Sequence, residues 1–116
     1  NMNDKDDLVF ILHILDSINA IEDFSRNLLK KTLLSSRLRQ SAIVRELEII
    51  GEAVKNISEP TKEKYPEVEW KKIVGTRDKM IHHYFGVDLN IIWDIIKNNL
   101  PLLKKQIQKI KDDLEK

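Results

Sequence analysis

The chain has 116 residues, 41% hydrophobic and 34% charged, a size and balance that suit one globular domain and exclude a disordered tail. It contains no cysteine, which excludes disulfides, thiolate catalysis and Cys-ligated zinc or iron–sulfur centres. A net charge of +1 provides no whole-protein field for nucleic acid, so any RNA contact must rest on local patches.

Residues 1–116 read as a single domain without repeats or low-complexity segments. With only 3 Gly and 3 Pro, long helices are the default. The polar, acidic start Asn1–Asp7 does not resemble a secretory signal, and no apolar run reaches membrane-spanning length. The expected setting is the cytoplasm, with no membrane contact.

The first apolar-periodic segment runs from about Asp6 to about Lys31. Leu8, Ile11, Leu12, Leu15 and Ile18 recur at helical spacing, and Ile14, Ile21 and Phe24 widen the stripe. So wide a stripe predicts burial on more than one side, in the core and against another copy. Ser35 or Ser36 is placed to cap a second helix, with Ile43, Leu47, Ile50, Val54 and Ile57 on its core face. Ser58-Glu59-Pro60 ends it. Tyr65–Trp70 reads as a loop into a third helix carrying Trp70, Ile73, Val74, Met80 and Ile81, with Gly86 placed as its C-terminal cap. Asp88 is the natural N-cap of the last helix. There Leu89, Ile92, Ile96, Leu100, Leu103, Ile107, Ile110 and Leu114 step by three or four residues. Pro101 falls inside that register and predicts a kink, not an end. The expected fold is all-α, an up-and-down bundle of four main helices plus a possible short one.

Chemistry concentrates in Arg77-Asp78-Lys79-Met80-Ile81-His82-His83-Tyr84. Histidine exchanges a proton near neutral pH, and arginine offers a fixed planar fork for phosphate oxygens. The pair suits cleavage of RNA by its own 2′-hydroxyl, with no metal or cofactor. On a regular helix, however, Arg77 and His82 stand about 140° apart, whereas Asp78 and His82 are one turn apart. Either the helix tightens or ends there, or a phosphate sits between the two, or a second copy completes the site; the wide stripe of the first helix favours the second copy. Taken alone, the spacing also fits helix-end histidines near the negative dipole end, with Arg77 paired to a nearby Glu. Lys71, Lys72, Arg77 and Lys79 form one local cationic patch, and Arg37, Arg39 and Arg45 another, unless these are simply solvated faces. His13 reads as structural or solvent-facing, and Trp70 and Trp93 as packing anchors.

The octapeptide resembles the Arg-x4-His-x-Tyr signature of HEPN domains, and in particular of the HepT-like toxins. The likeness extends along the chain in order. Ile50-Gly51-Glu52-Ala53 is similar to an Ile-Gly-Glu-Ala helix of that family, Trp70–Arg77 to its Trp-x-x-Ile-x-Gly-x-Arg lead-in, and Val87-Asp88 with Ile92-Trp93 to the segment after the motif. The resemblance implies a dimerising helical bundle and a metal-independent RNase of a toxin–antitoxin pair, with Arg77 and His82 catalytic. It implies a minimal nucleotidyltransferase partner that uses ATP to attach AMP to Tyr84. Asp78 stands where Asn is frequent, and either repels phosphate or orients His82. Glu52 is a supporting residue for Arg77 or a plain surface carboxylate. The competing expectation is a non-catalytic module that docks a nucleotidyltransferase.

Overall fold

The computed structural model describes residues 2–82 and 88–116, with side chains from Asp4 to Met80 and from Asp88 onward. Every regular element among them is helical: α1 (Met2–Ser25), α2 (Lys30–Ser35), α3 (Arg37–Asn56), α4 (Glu59–Lys64), α5 (Trp70–His82), α6 (Leu89–Asp94) and α7 (Leu100–Glu115). A π turn, Ile95–Asn99, joins α6 to α7, so the last three elements form one long rod. The four main helices are therefore α1, α3, α5 and this rod. None of the described helices is long and apolar enough to cross a membrane.

Successive main helices run in opposite directions, as long-range polar pairs record. Asp7 near the start of α1 bonds Ser58 just past the end of α3. Glu22 near the end of α1 meets Lys104 near the start of α7 at 3.0 Å. The Tyr65 hydroxyl, ahead of α5, donates to Asp113 near the end of α7 at 2.6 Å. α1 packs on α3 and α7, and α3 packs on α5. One apolar core runs through them, with Ile11, Ile14, Ile18, Ile43, Val54, Ile92, Ile107 and Ile110 almost fully buried.

The first helix is shorter than its periodicity predicts. It ends at Ser25, because Asn27 adopts a left-handed backbone (φ 59°) that breaks the ladder before α2 begins. Asparagine tolerates that region better than other non-glycine residues. Leu12 and Phe24, both on the predicted stripe, are 36% and 41% exposed. Of the two candidate caps for α3, Ser36 is the one used, its Oγ accepting from the Arg39 amide. Pro60 ends α3 yet opens α4, where a first-turn proline loses no helical hydrogen bond.

Asp7 is a carboxylate buried inside this frame. It accepts from the Ser58 amide at 2.8 Å, from Ser58 Oγ at 2.6 Å and from Thr61 Oγ1 at 2.5 Å, so it fixes the α3–α4 corner. Burial, assisted by Asp113, pushes the Tyr65 phenol up to about 12, while its hydroxyl holds the Asp113 carboxyl below its usual range. Asp88 caps α6 through the Asn90 amide, as expected. At Pro101 the predicted kink takes the form of a wide turn. The Leu100 amide reaches back five residues to the Ile95 carbonyl, and proline has no amide with which to continue the regular ladder.

Candidate active site

Arg77 lies on α5 where that helix packs against Gly51 of α3. The crossing depends on Gly51: a Cβ at that position would land on the Cβ and Cγ of Arg77. Glycine is the one residue that lets the arginine stem lie flat against the α3 backbone. Gly75, half a helix turn earlier on α5, faces open space and has no such duty.

The guanidinium is held from two sides. Nη2 is 2.9 Å from Glu52 Oε2 on α3, and Nη1 is 3.1 Å from Asp78 Oδ1. The Arg77 side chain is only 20% exposed, so these contacts lie in a partly water-excluded setting. Nε is buried and has no hydrogen-bond partner among the described residues. One cation thus faces two carboxylates, a local formal charge of −1, before any substrate arrives.

Two hollows of about 260 Å³ each open beside Arg77. One lies along the edge of α1 and α3, lined by His13, Arg45, Glu52 and Arg77 among others. The second lies between α5 and the last rod, with Ile73, Ile91 and Leu103 as apolar wall and Asn98 and Asn99 from the π turn at its rim.

Of the residues singled out by sequence, the structure brings Arg77, Glu52 and Asp78 into one cluster. His82 is the last described residue of α5, five positions beyond Arg77; its side chain lies outside the described residues, as do Tyr84, His83 and Gly86 entirely. Trp70 is buried and its Nε1 donates to the Tyr65 carbonyl, which makes it a packing anchor. Trp93 is half-buried beneath the Lys97 ammonium.

Sequence reasoning overlooked Gly51 as the seat of the arginine and His13 as a neighbour of it. The pocket role of Arg45 had one available signal: Arg45 and Glu52 are seven apart, which puts both on one face of α3.

Comparison with known proteins supplies a family. The profile of the ribonuclease HepT-like family matches residues 14–110. A protein named "putative RNase" from Methanocaldococcus jannaschii is 44% identical over 114 residues, 98% of this chain and 94% of that protein. A protein named "probable ribonuclease HepT" from Thermococcus cleftensis is 39% identical over 102 residues, 88% of this chain and 93% of its own length. A further relative from Methanocaldococcus jannaschii, named gamma-glutamylcyclotransferase and putative RNase, is 40% identical over 97% of this chain. The chain spans 50% of that relative's length. No solved structure matches the chain.

Proposed function

We propose, on the premise that the chain belongs to the ribonuclease HepT-like family, that it cleaves RNA without a metal and that Arg77 and His82 carry the reaction. The observation that carries this reading is the seating of Arg77: a guanidinium pressed into the α3–α5 crossing, aligned by Glu52 and Asp78, on the helix whose described residues run to His82. In the reaction His82 takes the proton of a 2′-hydroxyl. That oxygen attacks the adjacent phosphorus, and the bond to the 5′-oxygen breaks. The products are a 2′,3′-cyclic phosphate and a 5′-hydroxyl, the latter protonated by water or by the His82 imidazolium of a second copy of the chain. Arg77 balances the charge that builds on the phosphoryl oxygens.

A homodimer completes the site. Five residues on a helix leave Arg77 and His82 about 140° apart, and a second copy supplies the missing convergence. The exposed Leu12 and Phe24 on α1 support this, being apolar surface that the monomer leaves uncovered. In the cell the enzyme acts as the toxin of a toxin–antitoxin pair. A small ATP-using nucleotidyltransferase silences it by placing AMP on Tyr84, two residues beyond His82.

The test is cleavage of a short single-stranded RNA by the purified chain in chelator. Wild type is expected to give cyclic-phosphate ends, and Arg77→Ala and His82→Ala are expected to lose about a hundred- to ten-thousand-fold. No cleavage by wild type, or equal cleavage by the variants, overturns the reading. Intact mass after incubation with the nucleotidyltransferase and ATP tests the switch: AMP-sized gains should vanish in Tyr84→Phe. A second reading, a non-catalytic docking module, draws on one observation. The Arg77 fork is already occupied by two carboxylates. That reading predicts complex formation with no cleavage.

A further inference from the structure

The charge balance around Arg77 raises a difficulty for any phosphate ligand. Glu52 and Asp78 together outweigh the guanidinium, and the chain as a whole carries only +1. An RNA strand therefore needs a second cation in the same hollow, free of internal partners. Arg45 meets that description. It lines the hollow shared with Arg77, is exposed, and makes no ion pair or hydrogen bond among the described residues. This holds although Glu48, on the same helix one turn away, lines the same hollow.

Position agrees with charge. Arg45 and Glu52 are two turns apart on one face of α3, about 10.5 Å along the axis. Since Glu52 grips Arg77, the two guanidinium groups stand along a single track, with Arg45 upstream. From α1, His13 lines the same track. Its ring meets Phe10 edge to face, centroids 6.0 Å apart, which gives the imidazole a set direction. In either protonation state an imidazole offers at least one N–H donor for a phosphate oxygen.

We propose that Arg45, aided by His13, holds the RNA phosphate adjacent to the one that Arg77 contacts, so that the α1–α3 hollow is the track by which a single strand reaches the cleavage point. The inference rests on the RNase reading above and adds positioning residues to it. Arg45 touches a phosphate that does not react, so its loss falls on binding.

The test separates binding from cleavage. A short single-stranded RNA with 2′-O-methyl groups cannot be cut, and its affinity is read by fluorescence anisotropy across roughly 50–200 mM salt. Arg45→Ala is expected to weaken binding about tenfold and to make the log–log salt slope shallower by about 0.7, the value for one single-strand phosphate contact. Arg45→Lys should restore most of both. His13→Ala should also weaken binding. On cleavable RNA the Arg45→Ala loss should appear in KM. An unchanged affinity and slope in Arg45→Ala overturns the proposal. Arg45-dependent binding without cleavage by wild type removes the RNase reading and leaves the track standing, whereas no RNA binding by wild type removes both.

Discussion

The tight crossing of α3 and α5 at Gly51 makes the sharpest prediction. In Gly51→Ala the new methyl would sit 2.5 Å from Arg77 Cγ and closer still to Cβ, against an ordinary carbon–carbon contact of about 3.5–4.0 Å. A change of rotamer at Arg77 cannot relieve this, because Cβ is fixed to the α5 backbone. The helices must separate, by about 1 Å or more. Overpacking of this kind costs about 1–3 kcal/mol, while replacing glycine within a helix returns about 0.5–1 kcal/mol. The net loss of stability should be at most about 2.5 kcal/mol, measured by urea denaturation, and the chain should stay folded. The effect on cleavage should be far larger, on the order of a hundredfold, since a displacement of about 1 Å misaligns a charged group with its phosphate. Gly75→Ala is the matched control: its methyl meets nothing within 4 Å, so it should stabilise by about 0.5–1 kcal/mol and leave cleavage intact. A Gly51→Ala protein with wild-type cleavage would refute the claim that this crossing aligns Arg77.

Two further expectations concern the frame. Asp7→Ala strips the Ser58 amide and two hydroxyls of a buried acceptor; it should cost about 1–3 kcal/mol, a fall in Tm of roughly 4–12 °C, and an unchanged Tm would mean the corner is held by packing alone. Tyr65 should make the fold sensitive to alkali. Its folded pKa of about 12 exceeds the free value of 10.0, so the fold favours the protonated phenol. That contribution is complete below the free value and is lost as pH rises through the folded one. Denaturation midpoints taken on either side of this window should fall more for wild type than for Tyr65→Phe, and parallel falls would discount the role of the phenol.

Much of the frame is legible in local patterns, and its misreadings have local causes. The register of α3 and of the last rod follows from apolar spacing, because each has one face on the core. The end of α1 does not, because Leu28 continues the apolar run past the left-handed turn at Asn27 and is itself buried. α4 is hidden by Pro60, whose power to end α3 obscures its fitness for a first turn. Leu12 and Phe24 obey the period of the core and still lie exposed, since period alone does not say how much of a wide stripe one monomer covers. In the site, the Arg77–Glu52 pair depends on how α3 lies across α5. That alignment joins positions 25 residues apart, and the one local hint of it is Gly51 immediately before Glu52.

The π turn also sets how the last rod is counted. Ile92, Ile96 and Leu100 are spaced by four, and on a regular helix two such steps drift by about 80°. The wide turn absorbs the drift, keeping all three against the core and delivering Ile107 and Ile110 to it in phase. The segment before Pro101 therefore works like a vernier. Removing one residue from 97–99 would let the helix close to regular pitch. Ile92 and Leu100 would then stand seven residues apart, within about 20° of one face, so Ile107 and Ile110 would stay on the core, whereas the same deletion within 102–106 would turn the residues after it by about 100° and carry both out.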